Sequence, residues 1–184
     1  MKFEIPADFD ENVAKFGQIL AKFNQIHSLT NYDDIRAQAF DSIEGLNFIE
    51  NSPKIAIDVG SGAGIPAIFL AMILRDCEWN LFEPNRKKSA FLSYAKVELG
   101  LKNLKIWPQK IEICPKFRAD LITSRALGEA KFLLQICAGF YDEKTEFLLY
   151  KGESAEAEIS GLNAQIHAGK KNRKYLTIRG VKWR

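Results

Sequence analysis

Apolar residues recur first at helical spacing, then in short buried runs separated by turns. Phe9, Val13, Phe16, Leu20 and Phe23 fall three or four residues apart, with Ile19 and Ile26 widening the face. Residues 8–28 are therefore predicted as an amphipathic helix, capped by Asp8 or Asp10. Ile35, Ala39, Ile43 and Leu46 mark a second helix over 34–49. From Lys54 the pattern changes. A buried strand at 55–59 runs through a glycine-rich turn into an apolar helix at about 65–75. Strands at 79–83, 104–107, 119–124 and 146–150 then alternate with helices at 87–99, 129–139 and 153–162, and one or two final strands cover 164–168 and 175–179. Such alternation predicts an α/β fold with a mostly parallel sheet and helices on both faces. Right-handed crossovers put the strand C-termini on one edge, where ligands of open sheets bind. The 184 residues read as a single domain, with a helical addition at 1–50 before an α/β core at 54–184.

The segment Ile57-Asp58-Val59-Gly60-Ser61-Gly62-Ala63-Gly64-Ile65-Pro66 follows a strand and opens a helix. A tight turn needs one glycine; three in five residues suit a backbone that a ligand approaches closely. A dinucleotide fingerprint would be G-x-G-x-x-G, aimed at a pyrophosphate. Here the third glycine comes one residue early, and Asp58 stands beside the loop. A carboxylate repels a pyrophosphate in a dry crevice. It suits S-adenosylmethionine (SAM), which carries a sulfonium and an amino group and no phosphate, and it can act directly or through water. Glu83 ends the next strand, 23 residues after Gly60, where a carboxylate accepts from ribose hydroxyls. The alternative is an ordinary exposed charge. Gln109-Lys-Ile-Glu112, after the third strand, is either the adenine wall or a plain connection. Arg125, after the fourth, either binds the cofactor carboxylate or an RNA phosphate or makes a surface salt bridge.

Composition narrows the setting. Hydrophobic residues make up 47% and charged residues 27%, as in soluble globular chains. Three cysteines, none forming a CxxC, argue against a disulfide framework or zinc knuckle and for a reducing, cytoplasmic compartment. The start has no long apolar core, and the run Ala63 to Leu74 is too short to span a bilayer. The net charge of +3 hides an asymmetry. After Glu158, the last acidic residue, come Lys170, Lys171, Arg173, Lys174, Arg179, Lys182 and Arg184, while residues 1–158 carry −4. Such a stretch either attracts a polyanion or forms a solvated surface tail. Arg86, Lys87 and Lys88 open a helix, where cations are mildly unfavourable, which favours a functional reading over a solvated helix start.

Taken in order, Leu29-Thr30, Asp41-Ser42, DVGSGAGIP (58–66), FEPNRKKSAFL (82–92), Lys110-Ile-Glu112, TSRA (123–126) and Lys151-Gly152 resemble the small-subunit rRNA guanine-N7 methyltransferase G family, also called glucose-inhibited division protein B. The resemblance implies a class I SAM-dependent, Rossmann-like methyltransferase fold and methylation of N7 of one guanosine in the decoding-region loop of 16S rRNA. It puts Gly60 and Ile65 in the cofactor loop, shaped by Asp58, Gly62 and Gly64. It makes Glu83 the ribose contact, Ile111 and Glu112 the adenine side, Arg125 a cofactor-proximal arginine and Lys151 a lysine at the mouth of the site. Ala37-Gln38 departs from an Arg-His pair, and Ser28 from an Asn, that many relatives have.

Guanine N7 offers an in-plane lone pair with no proton to remove, so in-line positioning in a low-water site suffices and no catalytic base is expected. The chain lacks an Asn/Asp-Pro-Pro-aromatic motif for amine methylation, and its Cys114-Pro115 reverses the Pro-Cys used against pyrimidines. His27 and His167 are read as non-catalytic, and Cys114 as a buried small residue. Arg86, Lys87, Lys88, Lys151, Lys170, Lys171, Arg173 and Lys174 are the candidate contacts to 16S rRNA or the small ribosomal subunit. No metal or membrane is expected, and a monomer is. The competing readings are a non-catalytic RNA-binding assembly factor, a small-molecule SAM methyltransferase and a nicotinamide oxidoreductase.

Overall fold

The computed structural model describes residues 3–153, 155–170 and 172–182. The His27 side chain, Lys171 and Arg184 lie outside the described residues. Helices α1 (Phe9–His27) and α2 (Ile35–Glu44) lead through a 3-10 turn (Gly45–Phe48) into β1 (Ile55–Val59). Then follow α3 (Ala67–Ile73), β2 (Glu78–Phe82), α4 (Arg86–Glu98), β3 (Leu104–Trp107), β4 (Leu121–Arg125), α5 (Ala130–Ile136), β5 (Glu146–Lys151), α6 (Ala155–Glu158), β6 (Ala164–Ala168) and β7 (Lys174–Ile178). The seven strands lie in the order β3-β2-β1-β4-β5-β7-β6. Strands β1 to β5 pair in parallel, and β7 runs antiparallel between β5 and β6. The sheet order reverses between β1 and β4, which sets a crevice at their C-terminal ends.

The period of two along each strand sorts side chains to two faces. Ala56, Leu121, Leu148 and Tyr150 join the apolar layer of α1 to α4. Ile57, Val59, Ile122, Phe147 and Leu149 join the layer of α5. The helical addition is therefore part of the wall of the sheet. Phe16 of α1 packs edge-on against Phe69 of α3 at 5.2 Å and lies 6.0 Å from Phe91 of α4. At the end of α2, Gly45 lets the sheet come close, since a Cβ there would sit 2.7 Å from the Tyr150 hydroxyl. That hydroxyl donates to the Ser42 carbonyl at 2.5 Å.

Three expectations shift. Asp8 occupies the N-cap of α1 but makes no side-chain cap; it accepts from Asn12 and pairs with Arg75. The helix expected at 153–162 is only Ala155–Glu158, because Ala155 is its one buried residue and Gly161 turns the chain at φ +78°. Helix α3 starts at Ala67, because Gly64 at φ +87° keeps the preceding residues in a turn.

Opposite the crevice, the buried Glu146 carboxylate accepts from the backbone N–H groups of Glu50 and Asn51 and from Arg179 at 2.9 Å. One side chain thus ties the end of the helical addition to β5 and to the residue after β7. Removing it leaves two amides without their acceptor and the half-buried Arg179 with only Glu50 and the Phe48 carbonyl. Glu146→Ala is expected to lower unfolding free energy by about 3 kcal/mol, read as a lower urea midpoint with an unchanged slope.

Candidate active site at the strand C-termini

Asp58 and Glu83 end neighbouring strands, with the glycine loop between them. Glu83 is buried, so the exposed-charge alternative fails. Its Oε2 accepts from Gly62 N at 2.7 Å and its Oε1 from Asn85 N at 2.8 Å. Each oxygen keeps a further lone pair for a ligand hydroxyl. Asp58 is 1% exposed. Its Oδ1 accepts from the Thr123 hydroxyl at 2.6 Å, while its Oδ2 is buried without a hydrogen-bond partner. Burial above all pushes the Asp58 carboxyl from 3.8 up to about 7; the Thr123 and Ser61 hydroxyls pull it back in part, and the charge of Glu83 adds to the rise. Among the described residues no Lys or Arg forms a salt bridge with either carboxylate. The pair suits a cationic ligand carrying hydroxyls and would repel a pyrophosphate.

The three glycines have separate tasks. Gly60 (φ +68°) donates to the Phe82 carbonyl at 2.9 Å, and a Cβ there would strike Leu127 at 2.7 Å. Gly62 (φ +58°) faces open space, with only the Gly60 carbonyl oxygen within 4 Å of its ideal Cβ, at 3.8 Å. A Cβ at Gly64 would meet Ile68 at 2.5 Å and Leu92 at 2.9 Å, so this glycine seats α3 against α4. Ile65 is buried in that same layer.

Beside the loop lies a largely apolar cleft of about 170 Å³, lined by Val59, Gly60, Phe82, Pro84, Ile111 and Leu127 among others. Gln109, Lys110 and Glu112 also line it, so the segment after β3 is a wall and not a plain connection. Ile111 is buried there and Glu112 is exposed. Asp58 and Glu83 flank this cleft through their neighbours Val59 and Phe82. These features fit SAM: a flat apolar slot for an adenine ring, a carboxylate for ribose hydroxyls, and an unpaired carboxylate oxygen for a cation.

The cationic candidates separate. The Arg125 side chain is only 6% exposed, so it is no surface salt bridge. Its Nη2 donates to Gln38 at 2.6 Å, and its Nη1 lies 3.2 Å from Asp41 without hydrogen-bond geometry. Arg125 lines a second groove beyond the loop 125–128, together with Tyr32, Asp41, Lys170 and Arg173. Lys151 is buried, ion-paired with Glu158 at 2.7 Å and bonded to the Gly128 carbonyl. Arg86 and Lys87 are exposed and Lys88 half-buried at the start of α4, whose cap is Asn85.

The expected one-sign C-terminal stretch is corrected in part. Arg173 pairs with Asp41, Lys174 with Glu156, and Arg179 with Glu146 and Glu50. These residues lie in or beside strands of the sheet rather than in a solvated tail. His167 stacks on Phe48 at 4.3 Å and shares a hydrogen bond with Thr177. Cys114 is buried. Leu127 and Tyr32 were not foreseen, since they sit in irregular segments that periodicity cannot mark, nor was Phe132, which lies in α5 but on its exposed side. Among the described residues, no group of three or more His, Cys, Asp or Glu could hold a metal ion, and no helix is long and apolar enough to cross a membrane.

Two outcomes follow from the carboxylates. The folded-state pKa of Asp58 lies above its unfolded value, so the ligand-free protein loses stability as pH rises from about 4 through about 7. Asp58→Asn is expected to melt higher than wild type at alkaline pH and to match it near the unfolded pKa. A cationic ligand favours the ionised form, so SAM affinity should rise through the same window in wild type and stay flat in the variant, as read by calorimetry. Glu83→Ala should weaken SAM binding by about tenfold or more, and an unchanged dissociation constant would refute its role.

Comparison with known proteins agrees with this geometry. The family model of rRNA small subunit methyltransferase G matches residues 10–181. Ribosomal RNA small subunit methyltransferase G of Campylobacter curvus is 62% identical over 175 residues, covering 95% of this chain and 94% of that one. The Aliarcobacter butzleri protein of the same name is 36% identical, covering 98% and 94%. Among solved structures, a SAM-dependent methyltransferase from Aquifex aeolicus superposes with a TM-score of 0.66 at 16% identity, covering 88% of this chain and 98% of that one. The fold is thus the class I SAM-dependent methyltransferase fold, and the chain belongs to the rRNA small subunit methyltransferase G family.

Proposed function

We propose that the protein transfers a methyl group from SAM to N7 of a guanosine in the decoding-region loop of 16S rRNA. The observation that carries this is the uncompensated carboxylate pair, Asp58 and Glu83, around a glycine loop in a chain of this family. Bound SAM supplies an electrophilic methyl group on a sulfonium. Asp58 faces the cationic part of the cofactor, Glu83 takes its ribose hydroxyls, and Ile111 with Leu127 encloses its adenine. Gly60 and Gly62 let the backbone come close, and Gly64 with Ile65 holds the loop to α3. The apolar lining keeps water from the reacting centre. No side chain need remove a proton, because N7 bears none, so the residues act by positioning.

The RNA backbone is held by exposed cations, Arg86 and Lys87 near the cofactor loop and Lys170 along the second groove, which Arg173, half-buried and paired with Asp41, also lines. Lys88 supports the first pair. Lys151 and Lys174, already paired with Glu158 and Glu156, contribute chiefly by ordering the rim. The helical addition and the α/β core work as one domain, as a monomer. A ribosomal RNA substrate places the reaction in the cytoplasm, on the small ribosomal subunit.

The test is methyl transfer from labelled SAM to small subunits from cells lacking this protein, with the site mapped by borohydride–aniline cleavage. One new cleavage in the decoding-region loop is expected. Transfer to no rRNA, with SAM binding intact, would overturn the substrate. Subunit binding should weaken steeply with salt, and Arg86→Ala with Lys87→Ala should flatten that slope.

A further inference from the structure

The second groove is two adjoining hollows of about 470 and 460 Å³ that share Tyr32, Arg125 and Arg173. The loop 125–128 is the partition between this groove and the cofactor cleft: Arg125, Ala126 and Gly128 line one side, and Leu127 lines the other. A base lying in the groove would therefore meet the cofactor across one short loop. Ala126 takes a left-handed conformation (φ +57°), which L residues adopt seldom, so this partition is held in a demanding shape by its surroundings.

Among the described residues, Tyr32 is the one aromatic residue lining both hollows. It is 37% exposed, although a ring of its size would gain from burial. It lies in the irregular segment between α1 and α2. Its ring is fixed by the Arg125 guanidinium, 4.9 Å from the ring centroid. Arg125 is itself fixed by Gln38 and has its charge offset by Asp41. An exposed ring positioned by a buried arginine beside a cofactor cleft is arranged to receive something flat. Bases that undergo chemistry leave the nucleic-acid stack and stack on aromatic side chains.

We propose that Tyr32 is the platform on which the target guanine stacks, and that its ring stabilises the positive charge the base acquires. The proposal rests on the guanine-N7 reading above. In that reaction the N7 lone pair forms the N–CH3 bond while the S–CH3 pair returns to sulfur. The positive charge passes from sulfur to the purine. The negative face of a tyrosine ring attracts a cation more than a neutral base. The stack therefore strengthens as the charge moves, which lowers the barrier rather than merely the ground state.

The experiment compares wild type with Y32F and Y32L, using the full chain and two readouts. The first is the single-turnover rate of methyl transfer to unmodified small subunits at saturating enzyme and SAM. The second is the affinity for 7-methylguanosine monophosphate relative to guanosine monophosphate. Y32F should behave as wild type. Y32L should lose about tenfold or more in rate, with SAM affinity unchanged, and should lose the preference for the methylated nucleotide. A Y32L protein with wild-type rate, or with the preference intact, would overturn the proposal. Wild type inactive on rRNA would overturn the substrate assignment instead, while the nucleotide preference would still decide for or against the Tyr32 stack.

Discussion

The glycine loop is held at β1's end by the Glu83 carboxylate, and much of the site depends on that tie. One oxygen takes the amide of Gly62 and the other the amide of Asn85, whose own side chain then caps α4. A single buried acid thus sets the loop and the start of the next helix, two walls of one crevice. Its companion Asp58 carries a different constraint. Enclosed with one oxygen unsatisfied and a second acid nearby, it is costly to ionise until a cation arrives. The chain accepts a local electrostatic penalty at the crevice where the proposed cofactor site lies, and hydrophobic layers on both faces of the sheet hold the arrangement together.

Asp41 plays the corresponding part in the second groove. It stands between Arg125 from β4 and Arg173 beside β7, and it accepts from the Tyr175 hydroxyl. Asp34 and Glu44 line the same hollow, so its arginines and Lys170 are balanced by acids and the groove is polar rather than cationic overall. The helices before the sheet supply Asp41, Gln38 and Tyr32, so this groove would not exist on the α/β core alone. Changes in the α2 sequence at Gln38 would act directly on how Arg125 is held.

Most of the fold was legible because its signals are local. The short apolar runs at Ile55–Val59 and Glu146–Tyr150 and the three- and four-residue spacing of Phe9 to Phe23 each predict one element, and each element is present. The cofactor loop was legible for a similar reason, since DVGSGAG and Glu83 sit at strand ends that the pattern itself locates. The C-terminal charges were not. Read along the chain, they form a stretch without acids; folded, β7 enters the sheet beside β5, and Arg173, Lys174 and Arg179 meet acids from as far back as Asp41 and Glu50. Sequence separation says little about charge separation once a strand is inserted between earlier ones. The ion pair of Lys151 with Glu158 was not legible either, because it depends on where the short α6 lies beside the end of β5.

The position of β7 has an implication for biosynthesis. Strand β6 emerges first, yet in the finished sheet its neighbour is β7 and not β5. While the ribosome is still making β7, β6 has no strand to pair with, and the edge of β5 stays open. Arg173 cannot reach Asp41 until that strand slots into place. The nascent chain can therefore mature its glycine loop well before the second groove exists, and that groove is completed only in the last step of the chain's own assembly.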